Sequence, residues 1–542
     1  MITKIFRAVA SQYSFLLPKT LLSAYRDKGS SLIRYIRWYY TTDILRSKSP
    51  LQPGDMAAAT LLLAALVSIV ISGLAMLIDW THSDRDWLWP FGVALLVAYP
   101  FLTAHLLVVG VLVKRAVWFM VNPKKAGRAI VAMVLEAQVR QLRRKRKFTI
   151  VAVAGSVGKT STKLAIAELL GQNKRVLHQA GNYNDRITVP LVFFNQSQPS
   201  LVNPLAWLRL FGQNAAALHH PFPYDVVVVE LGTDGPGQMR EFAYLKPDIT
   251  VVTSVTPEHM EYFKTLDAVA AEELSVFNYS KRVVINADDI AGNYVAGRRF
   301  ASYSLTSQQA DYYGRADRQN LGGQRLQIQM PSGTAATIIR YIGMQGAKFA
   351  VAAAAVADIL GMSAQDISAG LARLQHFAGR MQIITGYKNS TLIDDTYNAS
   401  PVAVCAALDV LYAAKTKQRI AVLGSMNELG DYSREAHREV GAYCNPRTLD
   451  MVVTIGAMAK EWLAPVAKER GCQVHSFTSP YDAGVFVRKQ LKEGAVVLAK
   501  GSQNGVFAEE AVKALLAHPA DAQKLVRQSP AWLRKKARQF ER

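Results

Sequence analysis

Lys159 and Thr160 sit inside the run VAVAGSVGKTST (Val151–Thr162), ahead of a helix-forming stretch, Lys163–Leu170. An apolar strand that turns through glycine into a helix builds a phosphate cradle. Backbone N–H groups and the helix N-terminus face the anion, lysine adds a point charge, and threonine holds Mg2+. Gly155, Ser156, Val157, Gly158, Lys159, Thr160 and Ser161 are therefore candidate nucleotide contacts. The full Walker spacing needs glycine at 153, and Val153 stands there. Taken alone, the run fits a nucleotide site or a strand–turn–helix joint whose glycines serve only the turn.

Further chemistry-bearing residues fall at element ends. Glu230 ends a strand in VVVVELGTDGPGQM. A carboxylate there, beside a phosphate cradle, binds Mg2+ directly or through water; helix capping is the alternative. His259, in TSVTPEHMEYF, lies just past another strand, as a metal ligand or a structural histidine. Asn286–Asp289 closes the next strand, with turn formation as its plain explanation. Gly379-Arg380 and DDTYNASP (Asp394–Pro401) supply an arginine suited to clamping a γ-phosphate and a strand-end aspartate, Asp395, suited to orienting nucleotide or metal. An ordinary surface salt bridge is the alternative for that pair.

Taken in order, these segments resemble the Mur ligase family, the ATP-dependent amide-forming enzymes of peptidoglycan assembly, and most of all its D-alanyl-D-alanine-adding type. The likeness spans about 148–515 and also includes GNYNDRITVPL (181–191), VINADD, LGSMNELG (423–430) with His437, and LAKGSQNG (498–505). It implies an ADP-forming acid–amino-acid ligase using ATP and Mg2+, in which a substrate carboxylate becomes an acyl phosphate that an amine then attacks. By the same likeness Lys159, Glu230, His259, Arg380 and Asp395 are the catalytic set. Thr160 and Glu230 would hold one Mg2+ and His259 a second. Asn182, Asn184, Tyr397, Asn398 and Lys500 would contact substrate.

Three departures stand out. Many family members carry a lysine 14 or 15 residues after the histidine, whose carbamylated side chain binds metal; here Glu273 falls in that stretch, as a carboxylate able to serve directly. The family's adenine-reading asparagine is replaced within Gln345–Phe349, where Phe349 offers a ring to stack on the base. The family's usual N-terminal, UDP-gripping domain is missing, and an expected membrane hairpin and basic linker stand in its place.

The elements that must position these residues read as α/β. Strands are expected at Phe148–Ala154, Asp225–Leu231, Ile249–Val255 and Arg282–Asn286, separated by helices as in a parallel sheet. A small antiparallel insertion follows over 301–342, then an alanine-rich helix, Ala347–Leu360. A second, Rossmann-like unit has strands at Thr391–Asp394, Arg419–Leu423, Met451–Ile455 and Ala495–Ala499.

Ahead of them, Met56–Ile78 and Pro90–Val113 are 23 and 24 residues without an acidic or basic side chain other than His105, and are expected to form a transmembrane hairpin. Residues 1–150 carry 21 Lys/Arg against 7 Asp/Glu, or +14 of the net +22. With the acidic connection Asp79–Asp86, the positive-inside rule places both ends in the cytoplasm. The expected organisation is a basic interfacial segment (1–55), a membrane hairpin (56–113), a basic linker (114–147), an ATP-binding domain (148–378) and a C-terminal domain (379–542). Expected partners are a UDP-linked or lipid-linked muramoyl peptide, an amino acid or dipeptide, and inner-membrane lipid, without nucleic acid. A lipid-linked substrate and a degenerate scaffold are the competing readings. The three cysteines, Cys405, Cys444 and Cys472, are too widely spaced for a metal motif.

Overall fold

The computed structural model describes residues 17–27, 30–41, 99, 102–103, 105–114, 122–179, 181, 183–201 and 203–540. They fall into two compact units, 1–130 and 131–542.

In the first unit, Leu17–Asp27 and Leu32–Thr41 are helices. Tyr35 is buried, its ring edge-on to Tyr25 at 5.8 Å. The first expected span, Met56–Ile78, lies outside the described residues, as does part of the second, Pro90–Val113. Among the described residues no helix is long and apolar enough to cross a membrane. Among the described residues, then, the expectation of a two-span protein of the cytoplasmic membrane finds no support, nor does a hairpin standing in for a UDP-binding domain.

Within the expected basic linker, Pro123–Lys145 is a helix. Within the second unit its Ala132 and Leu135 pack with Ile187, Leu191, Trp207 and Leu210. Arg143 donates to Asp248 Oδ2 at 2.5 Å, and Glu136 receives Arg186 at 2.7 Å. Part of the basic run thus faces the folded domain instead of solvent.

The first sheet has nine strands: β1 (Thr149–Ala154), β2 (Val176–Leu177), β3 (Val226–Glu230), β4 (Ile249–Val252), β5 (Arg282–Asn286), β6 (Ala301–Ser304), β7 (Tyr312–Asn320), β8 (Gly323–Met330) and β9 (Gly333–Ile339), in the order β2-β3-β1-β4-β5-β6-β7-β8-β9. Pairing is parallel from β2 through β7 and antiparallel across β7, β8 and β9. β1, β3 and β4 are apolar, mostly β-branched runs buried on both faces, as a helix-covered parallel sheet demands. β8 alternates buried and exposed residues along most of its length. The expected insertion is therefore an extension of the parallel sheet's edge.

The helix Gly343–Ile359 buries a continuous alanine run against this sheet and the helix Lys159–Leu170. Small side chains let the two helices approach closely; a larger one here costs about 1–3 kcal/mol by overpacking.

The second sheet holds β10 (Gln382–Thr385), β11 (Thr391–Asp395), β12 (Arg419–Gly424), β13 (Met451–Ile455), β14 (Val474–Phe477) and β15 (Val496–Lys500), ordered β10-β11-β15-β12-β13-β14. Only the edge strand β10 is antiparallel. β11 and β15 each run one residue past the expected end. The register pairs Asp395 with Lys500, and so brings them side by side where the strands stop.

Candidate functional site

β1 delivers the chain into the glycine turn. Val153 is fully buried within the strand, in register with Glu230 of β3, so this short cradle begins at Gly155. Gly155 and Gly158 have φ of 116° and 88°, which favours glycine at both. A Cβ at Gly155 would meet Thr253 Oγ1 at 2.5 Å; one at Gly158 would meet the Phe349 ring at 2.8 Å.

The cradle is stitched to the exit of β4. Ser156 N–H donates to Ser254 O, Val157 N–H to Ser254 Oγ, and Gly155 N–H to Glu273 Oε2 at 2.7 Å. These three amides are satisfied by the protein, contrary to the expectation that they hold phosphate. The first helical residues, Lys159, Thr160 and Ser161, have N–H groups with no partner within the helix, as at any helix start.

Lys159 is ringed by carboxylates. Its Nζ lies 3.6 Å from Glu258 Oε2 and donates to Ser156 O at 3.3 Å. Burial lowers its pKa, but Glu258, Glu273 and Glu230 together outweigh that and raise it. One helical turn on, Lys163 Nζ lies 3.3 Å from Glu230 Oε2, both side chains 2% exposed. Burial lowers the Lys163 pKa, with Glu230 opposing. Asn184 Nδ2 reaches Glu230 Oε1 at 3.4 Å. Burial pushes the Glu273 carboxyl up to about 8. Its neighbour Glu272 accepts the N–H groups of Gly237 and Met239, so two adjacent glutamates hold two loops of the site.

Among the described residues no three His, Cys, Asp or Glu side chains gather to hold an ion, so neither expected Mg2+ would have an all-protein cage. His259 has left-handed backbone (φ 45°) and lies 3.7 Å from Asp234 and 3.9 Å from Glu428 of the second domain. Glu230 Oε2, Glu258 Oε1 and Glu273 Oε1 are buried without a hydrogen-bond partner.

From the second domain, Arg380 ends a tight turn closed by Arg380 N–H to Phe377 O at 3.0 Å. Gly379 has φ 65°, and a Cβ there would crowd Tyr397 N and Val526. The Arg380 guanidinium lies over the Tyr397 ring at 4.1 Å. Asp395 Oδ2 accepts Lys500 Nζ at 2.6 Å, and its Oδ1 accepts Met381 N–H at 3.2 Å. Lys500 also donates to Asn398 O, while Asn398 Oδ1 accepts Ala399 N–H. Asp394 is fully buried and burial pushes it up to about 6.

One cleft joins these parts. It is lined by Val157, Gly158 and Ser161 of the cradle, by Phe349, and by Arg380, Asp395 and Lys500. Its apolar end is made by Tyr341, Phe377, Ala407 and Val410.

Other motif residues serve structure. His437 accepts Met426 N–H on Nε2 at 2.9 Å and donates from Nδ1 to Ser433 O, a neutral imidazole locked in the core, and burial lowers its pKa. Asn427 ties LGSMNELG to Ser502, Gln503 and Asn504. Asn286 bonds Thr253 O, and Asp289 pairs with Lys348 at 2.7 Å. Asn182 lies outside the described residues. Residue reading missed Lys163, Glu258 and Glu428. Lys163 had a signal: a lysine one turn into a helix whose other face must be buried.

Residues 153–357 match the Mur ligase middle domain and 379–503 the Mur ligase glutamate ligase domain. The chain is 29% identical over 376 residues to the UDP-N-acetylmuramoyl-tripeptide–D-alanyl-D-alanine ligase of Escherichia coli, covering 68% of this chain and 76% of that one. It is 28% identical over 380 residues to the Bacillus subtilis enzyme of the same name, covering 68% and 76%. In fold it is similar to MurF from Acinetobacter baumannii (TM-score 0.59, 22% identity, 72% of this chain and 80% of that one). It is also similar to MurF from Thermotoga maritima in complex with ADP (TM-score 0.57, 22% identity, 71% and 83%).

Proposed function

We propose that this chain, whose residues 153–357 and 379–503 match the Mur ligase middle and glutamate ligase domains, is an ATP-dependent, ADP-forming ligase that joins D-alanyl-D-alanine, or a closely related amine, to the free carboxyl of a UDP-linked muramoyl peptide. The observation that carries the reading is the single cleft in which the helix start at Gly158–Ser161 meets Arg380, Asp395 and Lys500.

In this reading the triphosphate rests on the N–H groups of Lys159, Thr160 and Ser161, with the Lys159 ammonium beside it. Gly155, Ser156 and Val157 shape the turn through their bonds to Glu273 and Ser254. The base lies toward Phe349 and the apolar end of the cleft. Arg380 meets the transferring phosphoryl group, with its Nε free of a hydrogen-bond partner among the described residues.

Hard carboxylate oxygens suit Mg2+, which keeps water ligands and shares phosphate oxygens instead of needing an all-protein cage. Glu273 keeps one buried oxygen without a hydrogen-bond partner, and the corresponding Glu230 oxygen has the Lys163 ammonium 3.3 Å away. With Thr160 they would hold the ion, which supplies charge neutralisation at the phosphates. His259 stands apart with Asp234 and Glu428 at the seam between the domains.

The chemistry is two substitutions. A carboxylate oxygen of the acceptor attacks the γ-phosphorus and ADP leaves. The amine then attacks the acyl carbon, loses a proton, and inorganic phosphate departs. The protein's part is alignment and charge stabilisation, as phosphoryl transfer requires. In this reading Asn184, beside Glu230, and Tyr397, beneath Arg380, would contact the reacting groups, with Asn398 next in the chain. Lys159, Glu230, Arg380 and Asp395 are all present, which weighs against a degenerate scaffold, and the relatives' names speak of a UDP-linked substrate.

The test is ADP release by the full chain, screened over muramoyl acceptors and amines. Release that requires UDP-muramoyl-tripeptide and D-alanyl-D-alanine together supports the reading. Release indifferent to both removes it.

A further inference from the structure

The matched glutamate ligase domain ends at residue 503, yet the segment that follows reaches back into the site. Arg527 makes that contact. Its Nη1 donates to Tyr397 O at 3.0 Å and its Nη2 to Thr396 O at 2.5 Å. Its Nε and Nη2 also take both oxygens of Glu509, at 2.9 and 2.8 Å. The guanidinium is 8% exposed and Glu509 fully buried. The planar five-donor fork of arginine satisfies these four acceptor atoms at once, one more than the three donors of a lysine could.

Arg527 itself is held. Its backbone is left-handed (φ 55°), and its carbonyl accepts Lys536 Nζ at 2.9 Å. Lys536, with no exposed surface, pairs with Glu509 at 2.8 Å and Glu510 at 2.6 Å. Four charged side chains thus lock the end of the chain into the second domain.

The two carbonyls that Arg527 grips flank the peptide carrying Tyr397. The Tyr397 ring is the surface on which Arg380 lies, and Tyr397 N–H donates to Gly379 O at 3.1 Å. On the other side of that turn, Val526 Cγ1 would stand 2.9 Å from a Cβ at Gly379. Residues 526 and 527 therefore brace both the turn that carries Arg380 and the ring beneath it.

We propose that Arg527 is a positioning residue: by gripping the carbonyls of Thr396 and Tyr397 it fixes the Tyr397 ring, and through it the aim of the Arg380 guanidinium into the cleft. The inference rests on the ligase reading, in which Arg380 meets the transferring phosphoryl group.

The experiment is steady-state kinetics of the full chain with a double-mutant cycle. Arg527→Ala and Arg527→Lys each lower kcat about 10- to 100-fold, the scale of lost charge-assisted hydrogen bonds, while KM for ATP stays within about threefold. The lysine variant keeps the Glu509 ion pair, so folding is retained; melting curves set the assay temperature below each transition. On an Arg380→Ala background, Arg527→Ala adds no further loss. Gln528→Ala, in the same segment but bonded to Glu510 and Lys513 instead of the loop, keeps the parent kcat. Parent-like kcat in Arg527→Lys, or losses that multiply in the double variant, overturns the inference and leaves the ligase reading intact. A parent protein that releases no ADP with any acceptor sinks both.

Discussion

Lys500 Nζ lies 2.6 Å from Asp395 Oδ2, across the adjacent ends of β15 and β11, with the two side chains 4% and 12% exposed. The aspartate expected to reach nucleotide already has its charge met by a lysine of the next strand. The pair is a joint in the wall of the cleft, and it explains why both strands run one residue further than expected.

Breaking that joint on one side leaves a buried charge. Lys500→Met is expected to cost about 3–5 kcal/mol of stability. Adding Asp395→Asn recovers part of it, because the orphaned charge is gone. Urea midpoints of the two variants and the parent measure this; a single variant as stable as the parent contradicts it.

Asp394 titrates against the fold. Its folded pKa of about 6 lies above the ordinary aspartate value of 3.8, because burial disfavours the carboxylate. A carboxyl with a raised folded pKa stabilises fully below its unfolded pKa and loses that contribution as pH rises through the folded one. The gap between the two values corresponds to about 3 kcal/mol. Stability attributable to Asp394 therefore falls from about pH 4 to about pH 6, and Asp394→Asn should flatten the curve over that window. Parallel curves for parent and variant would show that the group does not titrate there.

Glu273 has two separable duties. Glu273→Gln keeps an acceptor for Gly155 N–H but cannot give up a proton to become the carboxylate that Mg2+ needs, so its deficit grows as Mg2+ is made limiting. Glu273→Ala loses both, and its KM for ATP rises about tenfold, the scale of one charge-assisted hydrogen bond. If the glutamine variant tracks the parent at every Mg2+ concentration, Glu273 is only the brace of the cradle.

Phe349 presses against Gly158 and lines the cleft between cradle and apolar end. Phe349→Ala is expected to raise KM for ATP about tenfold with less effect on kcat, since stacking binds substrate and transition state alike. A fall in kcat at unchanged KM would place the ring's work elsewhere.

The sequence made the two α/β domains legible because their strands are short apolar runs ended by glycine, carboxylate or lysine. Arg282–Asn286 and Met451–Ile455 occupy the residues expected of them. The helix Pro123–Lys145 was hidden, since its arginines and lysines read as a charged linker while Ala132, Leu135 and Val139 supply the inward face. The catalytic candidates announced themselves by motif. Their partners did not, because Lys500 against Asp395, Arg527 against Tyr397 and Glu273 against Gly155 are joined across more than one hundred residues by strand register and helix packing.

In the proposed ligase the acceptor carboxylate is activated as an acyl phosphate before amide formation. With the acceptor and amine that support ADP release, the acceptor carboxyl is labelled with oxygen-18 and the inorganic phosphate analysed by mass spectrometry. The account predicts one labelled oxygen in phosphate for each amide formed, and none with Lys159→Ala. Amide formed with unlabelled phosphate would contradict it.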